Sequence, residues 1–236
     1  MRRLLIGLLV LAALLVAADR VGAAYANRRL AAQVRTELAL QEDPTVRIRG
    51  VPFLTQAIGG TYEDVQVVLP DVDSGPLQNV VVDARLQGVR APLGEVLGGR
   101  IDEVPVDRIT GELAVGYAEL ARASGIPGLR IVRVGDALRV SGSVEVLGRQ
   151  VDASAVGRVE VAGSDIVISA EQAEVDGVQL PQAALDVAAG ALSFAVSPRS
   201  LPLSLRITAV RLEQQALLVS AESDDAVLRR AGSAVG

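Results

Sequence analysis

The run Ala137–Ala170, "ALRVSGSVEVLGRQVDASAVGRVEVAGSDIVISA", alternates with period two through three successive segments. Leu138, Val140, Val144 and Val146 stand opposite Arg139, Ser141, Ser143 and Glu145. Val151, Ala153, Ala155, Val159 and Val161 then oppose Asp152, Ser154, Arg158 and Glu160, and Ile166, Ile168 and Ala170 follow a Gly163-Ser164 turn. Side chains of a strand point alternately to its two faces, so this pattern specifies strands with one apolar and one wetted face. One-sided strands belong to antiparallel sheets, because parallel sheets are covered on both sides. The apolar face must be buried against something.

The same alternation recurs in Val80, Val82, Ala84 and Leu86 against Asp83, Arg85 and Gln87, and a further strand is expected around Val104–Val115. Near the C-terminus Leu203, Leu205 and Ile207 alternate until the phase slips at Ala209-Val210, which predicts a bulge. A hairpin at Glu213-Gln214-Gln215 and a last strand from Leu217 to Ala221 close the chain. Helical spacing is confined to a few places. Leu30, Val34 and Leu38 predict an amphipathic helix from Asn27 to about Leu40, ended by Pro44. A Pro-initiated turn of helix is expected near Leu93–Leu97, a short helix over Tyr117–Ala123, and a second main helix over Gln182–Ala195, with Leu185, Ala188, Leu192 and Ala195 in step. No linker, charge block or low-complexity run interrupts residues 27–236, which read as one α+β domain with a long antiparallel sheet and two main helices. That many one-sided strands offer more apolar area than two short helices cover. The sheet must curl on itself, pair with a second protein surface, or shelter an apolar ligand.

The N-terminus, "MRRLLIGLLVLAALLVAADR", has the order of a secretory leader: Arg2-Arg3, then an uncharged apolar run from Leu4 to Ala18. That run is shorter than the roughly 20 residues a membrane span needs. A small-x-small cleavage site is available at Ala24-Tyr25-Ala26, so residues 1–26 read as a signal peptide or as a retained N-terminal anchor. Either way the body lies on the extracytoplasmic side.

Composition removes most catalytic chemistries. The 236 residues contain no His, Cys or Trp, which rules out imidazole and thiolate metal sites, Ser–His and Cys–His nucleophile pairs, and disulfides. No metal and no cofactor are expected. The net charge of −5 makes the chain a poor partner for nucleic acid. "DVDSGP", Asp71–Pro76, imitates the start of a calcium loop, but its twelfth position is Val82, so it reads as a hairpin turn. The acidic pairs Asp102/Glu103 and Asp224/Asp225 are adjacent on strands and point to opposite faces, so neither forms a two-carboxylate site unaided.

One stretch breaks the strand grammar. In "VRIRGVPFLTQAIGGTYEDVQV", Val46–Val67, two alternating flanks are separated by Val51, Phe53, Leu54 and Ile58 in a short non-strand segment, with Thr55 and Gln56 beside them. Only five aromatic residues exist in the chain, Tyr25, Phe53, Tyr62, Tyr117 and Phe194, so Phe53 is costly bulk to leave exposed. An apolar rim with a few hydrogen-bonding groups suits the mouth of a lipid pocket. The competing expectation is a plug that packs Phe53 and Leu54 under the sheet. Arg47 and Arg49 flank the segment and Arg90 ends a strand before Pro92; each could take a phosphate, since an Arg fork matches phosphate geometry.

"RIRGVPFLTQAIGGTYEDVQV", "LQGVRAPLGEVLGGRIDEVPVDRITGELAVGYAELAR" and "LPLSLRITAVRLEQQALLVSA" together resemble the LmeA-like phospholipid-binding family of actinobacterial envelope proteins. Val51 stands where a bulkier aromatic is expected more often. The resemblance implies an exported, non-enzymatic protein of tubular-lipid-binding (TULIP-like) architecture, with a long curved sheet wrapped against two main helices and a phospholipid between them. The partners it implies are phospholipid and the extracytoplasmic face of the cell membrane. The candidate lipid contacts are Val51, Phe53, Leu54, Thr55, Gln56 and Ile58, with Tyr117, Leu185 and Leu192 on the helices; the candidate head-group contacts are Arg47, Arg49 and Arg90. Two other readings stay open. One is a non-catalytic envelope scaffold that uses its apolar face for a protein partner, and the other is an Asp/Glu hydrolase acting on envelope glycans.

Overall fold

Period-two alternation and helical spacing become eleven strands and four helices among the described residues of the computed structural model, which are 2–74, 76–92, 94, 98, 103–146, 148–163, 165–175, 181–197 and 205–229. In chain order they are α1 (Arg2–Glu37), β1 (Thr45–Arg49), α2 (Phe53–Gly59), β2 (Thr61–Ser74), β3 (Leu77–Arg90), β4 (Glu103–Gly116), α3 (Tyr117–Ala123), β5 (Arg130–Val134), β6 (Ala137–Val146), β7 (Arg149–Ala162), β8 (Asp165–Val175), α4 (Gln182–Leu192), β9 (Phe194–Val196), β10 (Arg206–Leu212) and β11 (Ala216–Arg229). The class is α+β. The strands form two sheets where one was expected, in the orders β1-β2-β3-β4-β11-β10 and β5-β6-β7-β8-β9. The chain also divides into two compact units: Met1–Pro70, Asp83–Gly111 and Ser223–Gly236 form one, and Asp71–Val82 with Glu112–Glu222 the other.

The larger core lies in the second unit. β6, β7 and β8 pair antiparallel in the meander expected from the alternation, with Leu138, Val140, Val144, Val146, Ile166 and Ile168 all buried. Short strand β5 extends this sheet, pairing Ile131 with Val140; five residues of "RIVRV" carry too little pattern to announce themselves. α4 lays Ala184, Ala188 and Leu192 on the apolar face. The expected helix to Ala195 stops three residues early, and Ser193 is the reason. Its hydroxyl donates to the Ala189 carbonyl (2.9 Å) and accepts from the Ala170 amide (2.9 Å), which clips the helix end to β8. The chain then leaves in extended conformation, so Phe194–Val196 pairs with Ile166–Ile168 as a strand. The slip near Ala209 is present as a register shift between Ile207 and Ala209 in the β10–β11 pairing. The last strand is longer than expected and runs to Arg229.

In the first unit, the predicted helix from Asn27 is the C-terminal part of α1, which is continuous from Arg2. α1 lies against edge strand β1, where the Asn27 side chain accepts the Ile48 amide at 3.0 Å. A helix thus occupies a sheet edge that would otherwise expose a row of unpaired amides. β1 and β2 pair antiparallel, with Val46 opposite Val67 and Ile48 opposite Val65. Of the helical turn expected at Leu93–Leu97 only Gly94 is described, and it is helical; the calcium-like position Gly75, Asp102, Ser164 and Leu203 lie outside the described residues.

Candidate functional site

The broken segment is a helix. Gly50, at φ 101°, turns the chain out of β1, the Val51–Pro52 peptide bond is cis, and α2 begins at Phe53 and is capped by Gly60 in the left-handed conformation. A Cβ at Gly50 would overlap the Gln56 amide, so this turn requires glycine. Gln56 then ties the segment's two ends together, donating from Nε2 to the Arg49 carbonyl (3.3 Å) and accepting the Glu63 amide on Oε1 (3.1 Å). Thr55 donates its hydroxyl to the Pro52 carbonyl at 2.9 Å. The polar groups expected to meet a head group are therefore engaged within the segment itself.

Its apolar side chains divide. Phe53 is buried and stacks on Tyr62, with ring centroids 6.5 Å apart, so its ring points inward. Leu54 and Ala57 are half-buried, while Val51 and Ile58 stand in the open. α2 rests on α1. The Leu54 amide donates to Asp19 Oδ1 at 2.8 Å, and the Asp19 side chain is only 4% exposed. Gly22 faces the same contact: a Cβ there would lie 3.5 Å from the Phe53 ring and 3.6 Å from Leu54, ordinary packing distances. A short helix has unpaired amides in its first turn, and an acceptor carboxylate from a neighbouring helix satisfies one of them. The Asp19 contact was not legible in the sequence, because Asp19 reads as the polar end of a leader.

β2 separates two faces. On the polar one, Arg49 bonds Gln66, Gln66 Nε2 reaches both carboxylate oxygens of Asp83 at 2.9 Å, and Arg85 lies 3.7 Å from Asp64. Arg90 pairs with Asp107. Of the three arginines proposed for a head group, Arg47 alone has no side-chain partner among the described residues. Tyr62, buried at the start of the strand, has a hydroxyl without a partner among the described residues, and burial pushes its phenol above the ordinary value. The opposite face carries Ile48, Val65, Val67 and Leu69, all half-buried, together with Ala84 of β3. These aliphatics are less covered than Leu138, Val140, Val144, Val146, Ile166 and Ile168 of the second unit, which are buried, although Val151, Val159 and Val161 of that meander are also partly open.

Tyr117, Leu185 and Leu192 belong to the second unit. Leu192 is fully buried, Leu185 packs at the edge of that core, and Tyr117 donates its hydroxyl to the Glu213 carbonyl at 2.6 Å while its amide meets the Gln215 carbonyl. Burial raises the Tyr117 phenol, Arg133 counteracts and Glu213 adds to the rise. A cleft of about 600 Å³ lies between α3 and β5, lined by Ala121, Ile126, Pro127, Leu129 and Ile131 with Arg122 and Arg130 beside them. Sequence reasoning missed it because one of its walls is the unannounced strand β5.

These features define an α+β protein with antiparallel sheets, an incompletely covered aliphatic face and a long apolar N-terminal helix. The chain belongs to the LmeA-like phospholipid-binding family, whose model matches residues 17–222. The match includes Asp19, Gly22 and the whole of α2. No curated protein and no solved structure shows significant similarity to the chain.

Proposed function

We propose that the protein is exported and holds a phospholipid in the cell envelope, with acyl chains lying on the half-covered face of Ile48, Val65, Val67 and Leu69. The observation that carries this reading is that face, in a chain of a phospholipid-binding family. Burying a single side chain of this kind is worth about 1.5–3 kcal/mol, so several half-open aliphatics in a row favour an apolar occupant. α2 immediately precedes β2, which puts Leu54 and Ile58 at the end of the face where a chain would enter. Arg47 lies opposite Gln66, on the other face from these aliphatics, so the phosphate is not assigned to it. No bond need be made or broken, and the role is lipid handling or maintenance of the envelope.

Native mass spectrometry of the full chain, extracted from membranes and incubated with phospholipid vesicles, tests the reading. A stoichiometric adduct of phospholipid mass is expected. Val67→Phe, which fills the face without adding charge, should lower adduct occupancy severalfold while thermal unfolding stays cooperative. A chain that remains lipid-free after incubation would sink the proposal.

A further inference from the structure

We infer that α1 is retained in the working protein and that α2 is a membrane-docking element, seated by α1 at the interface of the bilayer in which α1 is anchored. The inference takes the exported orientation from the proposed function and is independent of whether lipid is held on the sheet.

The first observation is that residues 19–27 are part of the fold. Asp19 accepts the Leu54 amide, Gly22 lies beside the Phe53 ring, Ala26 is buried, and Asn27 holds the Ile48 amide of the edge strand. Cleavage after Ala26 would strip α2 of its support and leave a buried aromatic uncovered. The second is length. Leu4–Ala18 rises only about 22 Å, short of the roughly 30 Å hydrocarbon thickness. Asp19 ought to end the span, yet its carboxylate is turned into the α2 contact, and Val21–Ala26 is again uncharged. Only Arg20 intervenes, on a stem long enough to reach the head groups. Exposed Val21 and Tyr25 continue the apolar surface, and Arg28-Arg29 then mark its end. α2 is thus held at the level where the span leaves the hydrocarbon.

The third observation is the surface of α2. Ile58, 88% exposed, is the most exposed large apolar side chain described, and Val51, at 68%, is next outside α1. No charged residue occurs from Gly50 to Tyr62. The polar groups of Thr55 and Gln56 are satisfied inside the segment, and the Leu54 amide is satisfied by Asp19. A segment entering lipid must meet its polar groups internally, and these three groups are met. Exposed apolar side chains continuous with a membrane-crossing helix fit a lipid surface, where they cost nothing to leave uncovered by protein.

The chain has no cysteine, so single labels are clean. Full-length Ile58→Cys and Val51→Cys would each carry a nitroxide and be reconstituted in vesicles of phosphatidylcholine and phosphatidylglycerol. Asp43→Cys serves as the aqueous reference, because Asp43 pairs with Arg35, about 24 Å further along α1 than Asp19. The expected result is a ratio of oxygen to nickel-chelate collisions severalfold higher at 51 and 58 than at 43, with an intact mass that retains the N-terminal residues. A mature chain beginning at Asn27 would overturn the inference, as would equal ratios at the three positions. Concentration-dependent spin–spin broadening at 58 would overturn it too, by assigning the surface to a second copy. Phospholipid adducts counted in the same samples separate the two proposals: lost adducts with buried labels refute lipid holding alone, and retained adducts with aqueous labels refute docking alone.

Discussion

Asp19 and Tyr62 are the two residues of the first unit whose roles come from their surroundings. Removing the carboxylate leaves the Leu54 amide without its acceptor, so Asp19→Ala should cost about 1–3 kcal/mol, whereas Asp19→Asn, which still presents an oxygen, should cost less. Thermal unfolding of the full chain in detergent would measure the difference, and faster hydrogen exchange at Leu54 would locate it. Tyr62 is the opposite case, since its buried hydroxyl has no partner among the described residues to lose. Tyr62→Phe should leave stability unchanged or raise it by up to about 1 kcal/mol near neutrality. Its folded phenol titrates above the unfolded value of about 10, so the contribution of the neutral form is complete below pH 10 and is lost as pH rises through the folded value. Alkaline melting should therefore set in above about pH 10 and be weaker in Tyr62→Phe. Tyr117, also raised, sustains the remainder. At Gly50 the positive φ and the Gln56 side chain leave no room for a Cβ, so Gly50→Ala should destabilise by more than about 1 kcal/mol, read in the same melting experiment.

Among the elements, those with long, regular patterns were legible and those defined by contacts were not. The meander β6–β8, β4 and α3 follow their alternation and spacing, and the β10 bulge sits where the phase slips. α4 has the spacing expected of it but ends at Leu192, because Ser193 bonds both Ala189 and Ala170 and only the fold brings Ala170 there. Ser193→Ala should loosen that junction by about 1 kcal/mol and fray the pairing of β9, seen as faster exchange of the Ala170 amide. Ala188 of α4 is fully buried against the sheet, so Ala188→Leu should overpack that contact and cost about 1–3 kcal/mol in chemical unfolding. α2 is the element least expected from sequence. Seven residues with Phe, Leu and Ile read as loop bulk until a neighbouring helix supplies the acceptor for the Leu54 amide and a surface for Phe53 to pack on.

For the whole molecule, composition and alternation by themselves determined the chemical class: no imidazole or thiol, one-sided antiparallel strands, an apolar N-terminal run, and a resemblance that the family match over residues 17–222 bears out. Such properties are local, because a residue's type and its period along the chain are set before any long-range contact forms. Tertiary structure decided the rest. It divided the strands between two sheets, turned Phe53 inward and Ile58 outward, engaged Arg49 and Arg90 with partners in their own unit, and put Asp19 of the apparent leader under α2. Each outcome depends on a partner remote in sequence, 35 residues away for Asp19 and Leu54. The identity of that partner is fixed only when the chain has folded, since alternation records which side of a strand is apolar and nothing about what will cover it.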